Sequence, residues 1–189
     1  MPRTLTILCL ATCLLLGLSS GQTFLPKEGD LPISDVYAVD ITRSGRNDFW
    51  KTNSDGFTYI LSAYPVRMNA VTQVTIYLVV GNQFGLGCAN INKSNGQYIN
   101  HLSYGVNNGL KWKNGFGLDY ASAAIAGDKI TMTIDTRPFQ YTLSFAKNGL
   151  DMGIAFSGLN LLGEDQIYII IWMNKVKDRI KIVDYKVVE

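Results

Sequence analysis

The sequence is poor in the residues that catalytic and metal sites require. Its 189 residues include one histidine, His101, and three cysteines. Two of those cysteines, Cys9 and Cys13, lie in an apolar stretch at the start of the chain, and the third is Cys88. Nucleophilic catalysis needs a base beside the nucleophile, and a zinc site needs several histidine or cysteine ligands. We therefore expect a protein that is not an enzyme and that uses no metal ion and no cofactor.

The sequence also has little excess charge of either sign and no long apolar run after residue 21. It has 17 lysines and arginines against 15 aspartates and glutamates, which gives a formal net charge of +2. A nucleic-acid-binding protein would show a basic excess on one face. A membrane-spanning helix needs about 20 consecutive apolar residues. We expect neither a nucleic-acid partner nor a membrane span.

Residues 1–21 have the pattern of a secretory signal peptide. A basic residue, Arg3, precedes an apolar stretch from Leu5 to Leu18, and small residues follow before Gln22. This pattern predicts a secreted, extracellular protein whose mature chain begins at Gln22. The remaining residues, 22–189, are enough for one domain and too few for two domains of ordinary size.

The secreted chain would retain Cys88 alone, so no disulfide within the chain is expected. Cys88 lies in the apolar stretch Phe84–Ala89. This setting favours a buried, unreactive thiol over a bridge to another chain, although an odd cysteine in a secreted protein can form such a bridge. We expect a monomer.

Past the N-terminal stretch, apolar residues recur with the period of a β-strand rather than that of a helix. In the run from Lys129 to Asp135, Ile130, Met132 and Ile134 alternate with threonines, which is typical of a strand with one buried face. Asn-Gly and Asp-Gly pairs between the runs favour tight turns. The predicted strands are Val36–Ile41, Phe57–Ala63, Val71–Val80, Gln83–Cys88, Lys129–Asp135, Tyr141–Ala146, Ile167–Met173 and Arg179–Val188. Together they predict an all-β fold, an antiparallel two-sheet β-sandwich.

An ordered series of short motifs allows a more specific comparison. From Ser103 to Phe156 the chain has Ser-Tyr-Gly, a glycine-rich loop, Gly-Asp-Lys-Ile, Leu-Ser-Phe-Ala-Lys-Asn-Gly and Gly-Ile-Ala-Phe, in that order. This series resembles the SPRY family, the core of B30.2-type domains, over residues 71–175. Ile169 stands where the family usually has proline, and no PRY segment is recognised before Asn69. The resemblance implies a SPRY/concanavalin-like jelly roll that binds proteins or peptides through loops at one end, without catalysis.

Exposed aromatic side chains beside charges are common anchors of binding surfaces. The segment Val106–Phe116 is rich in turn residues and is interpreted as a loop that presents an aromatic residue between two lysines. The segment Arg46–Trp50 is a second candidate loop that could adjoin the first. The predicted partner-binding residues are Tyr104, Lys111, Trp112 and Lys113 at the first segment, with Arg46, Phe49 and Trp50 at the second.

Each aromatic candidate also has a structural interpretation. Trp112 could fold back over the edge of the sandwich, and Trp50 could fill part of the core. If Trp112 is a binding residue, we expect Trp112→Ala to weaken partner binding while leaving the thermal stability nearly unchanged.

One further motif and two other functions remain open at the level of sequence. Asn92-Lys93-Ser94 is a glycosylation sequon, so a secreted chain could carry a glycan at Asn92. A lectin is the main alternative function, because similar sandwiches bind sugars by stacking them on aromatic rings, and a secreted effector or toxin is another. Sugar-competed binding on a glycan array would favour the lectin.

Overall fold

A computed structural model describes residues 31–34, 40–90, 101–158 and 166–189, and this part of the chain contains fourteen β-strands and no helix. The predicted signal peptide and the Asn92 sequon lie outside the described residues. The first seven strands are β1 Ile33–Ser34, β2 Ile41–Ser44, β3 Asp48–Lys51, β4 Thr58–Ser62, β5 Val71–Val80, β6 Phe84–Asn90 and β7 His101–Gly105. The other seven are β8 Leu110–Lys113, β9 Phe116–Asp119, β10 Lys129–Asp135, β11 Thr142–Lys147, β12 Leu150–Phe156, β13 Ile167–Met173 and β14 Arg179–Val188.

The strands form two antiparallel sheets of seven strands each. The order in the first sheet is β1-β4-β13-β6-β7-β8-β9, and the order in the second is β12-β11-β10-β5-β14-β3-β2. Their inner faces enclose one main hydrophobic core. The predicted all-β, antiparallel two-sheet sandwich is confirmed.

The core follows from the alternation of side chains along the central strands. In β10, Ile130, Met132 and Ile134 are all fully buried, and Ile130 and Met132 lie opposite Ile76 and Val74 of β5. Burying a side chain of this size is worth about 1.5–3 kcal/mol relative to leaving it in water. The intervening threonines face outward, so a shift of one residue would exchange the two faces and is strongly disfavoured.

The outer face of the first sheet carries a second, smaller hydrophobic cluster of Leu61, Ala89, Ile170 and Trp172. Glycine is required beneath the indole of Trp172, because a Cβ added at Gly85 would lie 2.0 Å from that ring. At Gly87, the next outward position of β6, an added Cβ would lie 2.0 Å from the carbonyl oxygen of Leu102 on β7. The glycine pattern of β6 thus reflects close packing of an indole and a strand, rather than a flexible loop.

Tight turns occur where the sequence predicts them. Asn114 and Gly115 both have positive φ, at 50° and 87°, and Asn148 and Gly149 have 52° and 82°. Two consecutive residues of positive φ match the two-residue hairpin turn that asparagine and glycine favour. These turns connect β8 to β9 and β11 to β12.

Several predicted strands have the expected bounds, and other strands of the structure were not predicted. The runs 71–80, 129–135, 167–173 and 179–188 are strands with the predicted ends. Most of the predicted strand 36–41 lies outside the described residues. The interpretation of Val106–Phe116 and Arg46–Trp50 as loops is wrong, since β8 and β3 run through them. The strand Leu-Lys-Trp-Lys does alternate, but it is only four residues long and lies between turn residues, which favoured a loop.

Cys88 is buried in the structure, as the sequence predicts. Cys88 lies on β6, points into the main core and is 3% exposed, with no disulfide partner among the described residues. Burial raises the pKa of its thiol to about 12, because the thiolate would lose its hydration. The prediction of a buried thiol is confirmed, and its low thiolate content makes it unreactive.

Candidate functional site

Tyr104 lies in the core and is not a surface residue. Its side chain is 0% exposed, and its ring packs 5.5 Å from the ring of Phe145 and 6.0 Å from that of Tyr120. The hydroxyl donates to the carbonyl oxygen of Ser122 at 2.6 Å. Burial raises its pKa to about 12. The expectation that Tyr104 contacts a partner is therefore wrong, because its hydroxyl is used inside the protein.

Lys111 joins the two sheets and is not free to reach a partner. It lies on β8 opposite Tyr104 and points to the inner face. Its Nζ donates to the carbonyl oxygen of Ala155 on β12 at 2.9 Å and lies 5.6–5.9 Å from the rings of Phe156 and Tyr120. A cation held by a carbonyl and two aromatic faces is stabilised in place. The structure corrects the assignment of Lys111 as a surface residue.

Trp112 lies on the outer face of the first sheet, opposite Ser103 of β7 and Gly117 of β9. The side chain is half-buried, and its ring lies over glycine positions, since a Cβ at Gly105 would come within 2.6 Å of its Nε1. The indole Nε1 is buried without a hydrogen-bond partner. The interpretation of Trp112 as a cover of the sheet edge is confirmed for one side of the indole. The rest of the ring stays accessible, and its role in binding stays a prediction.

The β8–β9 hairpin ends in an exposed turn next to Trp112. Lys113, Asn114 and Gly115 are all exposed. Trp112 and Lys113 are consecutive strand residues, so their side chains lie on opposite faces of the hairpin beside the turn. We refer to Trp112, Lys113, Asn114 and Gly115 as the turn surface. It presents an indole, an ammonium group and an exposed Asn-Gly turn within four residues.

Strand β9 is a second exposed feature, and it is absent from the strands predicted from the sequence. All four of its residues are exposed, including Phe116 at 78% and Leu118 at 57%. Both side chains point to the inner face, because they lie opposite Lys113 and Lys111. The alternation Phe-Gly-Leu-Asp after an Asn-Gly turn is a signal that could have identified this strand. We refer to Phe116–Asp119 as the β9 edge.

The β9 edge extends beyond the second sheet. Strand β7 faces β11 through the rings of Tyr104 and Phe145, and β8 faces β12 through Lys111 and Ala155. Since β9 follows β8 in the first sheet, it lies past β12, the last strand of the second. Over the described ranges no strand lies opposite it, which explains why two large apolar side chains of the inner face remain in water.

The second candidate segment lies on the other side of the molecule. Strands β2 and β3 are the last two strands of the second sheet, at the end opposite β12. Arg46 is exposed in the turn between them, Phe49 is 2% exposed and part of the core, and Trp50 is half-buried beneath the guanidinium of Arg179. The Arg46–Trp50 segment therefore cannot adjoin the turn surface, and Phe49 cannot contact a partner.

Arg179 is held over Trp50 by an ion pair. Its Nε donates to Asp48 Oδ1 at 2.9 Å, and its Nη2 donates to Asp48 Oδ2 at 2.5 Å. This hydrogen bond, with the positive charge of the guanidinium, lowers the pKa of Asp48. The pair fixes the face of Trp50 within the protein rather than leaving it open for a ligand.

The described residues show no cluster of metal-ligand type. Across the four described ranges, no group of three or more histidine, cysteine, aspartate or glutamate side chains could hold a metal ion. His101 lies at the start of β7, half-buried, with its ring 6.0 Å from that of Tyr59. In the same ranges the structure contains no helix with the length and apolar character needed to cross a membrane.

Comparison with solved structures identifies the fold. The SPRY domain of human HERC1 matches with a TM-score of 0.65 at 20% sequence identity, covering 80% of this chain and 97% of that one. The TRIM65 PSpry domain matches with a TM-score of 0.58 at 11% identity, covering 81% and 91%. The NHR1 domain of Drosophila melanogaster Neuralized matches with a TM-score of 0.51 at 13% identity, covering 81% and 97%.

The comparisons establish a SPRY fold. No protein-family model matches the sequence, and no curated protein matches it. Because the similarity to the solved structures is below 25% identity, it defines the architecture and leaves the ligand undefined.

Proposed function

We propose that this protein is a secreted, non-catalytic module that binds a protein or peptide through the turn surface. The observation that carries the proposal is the position of Trp112 and Lys113 on either side of an exposed two-residue turn. A half-exposed indole offers a large apolar contact, and aromatic residues are enriched among those that dominate binding energies. The fold supports the same proposal, since the SPRY resemblance implies a protein-binding role.

The turn surface is suited to recognition because it is rigid on its protein side. The indole of Trp112 packs against Gly105 of β7 and Gly117 of β9. The hydrogen bond from Lys111 to Ala155 also fixes β8 to β12 of the other sheet. A pre-ordered aromatic side chain loses little conformational entropy on binding. The adjacent Lys113 ammonium favours a ligand segment that includes an acidic group.

Secretion is part of the proposal and rests on the N-terminal pattern. Expression in eukaryotic cells should release the protein into the medium with Gln22 as its first residue, and enzymatic removal of N-glycans should lower its mass if Asn92 is modified. Retention of residues 1–21 on a protein found inside the cell would contradict the secretory part.

The binding proposal is tested by affinity capture from extracellular fluid with matched variants. Lys113→Glu and Trp112→Ala should each weaken binding of the captured protein by about tenfold or more, as expected for central contacts. Lys129→Glu is the control, since Lys129 is exposed on β10 in the other sheet and should bind like the wild type.

Thermal unfolding of each variant separates binding from folding. Because Trp112 is half-buried, Trp112→Ala is expected to lose some stability, contrary to the expectation from sequence, and Lys113→Glu is the cleaner probe. Undiminished capture by both variants would contradict the proposal. Capture that a free sugar abolishes would instead favour the lectin.

A further inference from the structure

The two sheets end differently on the side of the molecule that carries the turn surface. Strand β12 is the last strand of the second sheet, and its carbonyl groups at Gly153 and Ala155 already accept hydrogen bonds from Tyr120 Oη at 2.6 Å and Lys111 Nζ at 2.9 Å. Its pairing with β11 is also interrupted by two register shifts. Side chains that cap an edge and bulges that distort it are two ways in which proteins prevent strands from adding.

The β9 edge has neither form of protection. Its pairing with β8 runs without a register shift from Phe116 to Asp119, the strand contains no proline, and its one charged residue is Asp119 at the end. Two of its four side chains are large, apolar and exposed. An edge that exposes two large apolar side chains without a bulge can pair with another strand, provided that the partner strand leaves the Asp119 carboxylate in water.

Hydrogen-bond geometry determines which groups of the β9 edge are free. The two-residue turn at Asn114 and Gly115 makes Lys113 and Phe116 a pair that exchanges both backbone hydrogen bonds. The alternation of antiparallel pairs then directs the N–H and C=O of Gly117 away from β8. Gly117 therefore lies at the centre of the free edge with both of its backbone groups facing outward.

The β9 edge is complementary to itself about that residue. An antiparallel copy related by a two-fold axis at Gly117 would place Gly117 opposite Gly117 of the second copy, with reciprocal N–H to O=C bonds. The same register places Phe116 opposite Leu118 of the second copy, twice, so all four apolar side chains meet on one face. On the other face, two glycines lie between the two Trp112 rings, and no like charges are brought together.

We propose that two copies of this chain pair through β9 to form a two-fold dimer with a continuous first sheet. This inference concerns the β9 edge and does not depend on the proposed partner at the turn surface. It replaces the monomer expected from the sequence. Two-fold, self-complementary contacts are the commonest way in which identical chains associate.

Sedimentation velocity of the purified protein over a range of concentrations tests the dimer. The wild type should shift from monomer to dimer as the concentration rises. Leu118→Lys places a charge opposite Phe116 of the second copy and should weaken association at least tenfold. Leu150→Lys is the matched control, because Leu150 is 73% exposed on β12, and it should dimerise like the wild type. A wild type that stays monomeric at its highest soluble concentration, or a Leu118→Lys variant that dimerises normally, overturns the proposal.

Cross-linking tests the register. Gly117→Cys should form a covalent dimer on mild oxidation, because directly opposite residues of a hydrogen-bonded pair have Cα atoms about 5.5 Å apart, within disulfide range. Leu150→Cys should remain monomeric on a non-reducing gel. Absence of the covalent dimer in Gly117→Cys, or equal linking of Leu150→Cys, overturns the register. If another protein's strand occupies β9 instead, the wild type alone stays monomeric and the proposal fails.

Discussion

At the scale of single residues, the structure separates side chains that hold the sandwich together from those available for recognition. Lys111 and Lys113 are two positions apart on one strand and share a face, yet one reaches a carbonyl of the opposite sheet and the other extends into water. Sequence spacing cannot distinguish them, because the difference depends on whether a strand lies across from each residue. Lys111 has β12 across from it and binds the Ala155 carbonyl, whereas Lys113 reaches no such group among the described residues.

Replacing each lysine by methionine measures this difference. Lys111→Met leaves the Ala155 carbonyl without its donor and removes a cation from two aromatic faces, so we expect the free energy of unfolding to fall by about 1–2 kcal/mol. Lys113→Met should change it by less than about 0.5 kcal/mol, as for other exposed sites. Urea denaturation of the two variants gives the comparison. Equal effects would contradict the contact between the sheets.

At the scale of elements, alternation and turn chemistry predict more than composition does. Strands β5, β10 and β13 were predictable because each has a long apolar run or a regular alternation bounded by turn residues. The Asn-Gly turn before β9 was equally visible. Strand β8 was not, because its four residues lie between turn residues and its alternation would bury Leu110 and Trp112, whereas Lys111 faces inward.

The candidate site was predictable only in part for the same reason. The sequence predicted Trp112 and Lys113 as binding residues, and both are accessible at the turn surface, where their role in binding stays a prediction. It could not show that Tyr104 points inward, because a tyrosine fits either face of a strand and the choice depends on the opposite sheet. The sequence also could not show that β9 extends beyond β12, because that position depends on how strands far apart in sequence pack across the two sheets.

At the scale of the whole molecule, strand order decides which loops can act together. The two segments chosen from the sequence lie at opposite ends of the sheets, with β8 beside one edge and β3 beside the other. A partner that contacts Trp112 would have to span the entire sandwich to reach Arg46. The proposed partner therefore binds on one side of the molecule, at the turn surface.

The same arrangement relates the turn surface to the proposed dimer. A two-fold axis at Gly117 would carry two turn surfaces on one particle, one from each copy. A ligand with two binding segments would then bind more tightly than one with a single segment, because the second contact forms within the same complex.

Hydrogen–deuterium exchange of the protein with and without its captured partner shows whether the partner contacts the turn surface. Binding at the turn surface predicts slower exchange over residues 111–116, with little change over 41–51 at the far edge. Protection confined to the far edge, or no protection over 111–116, would contradict the account.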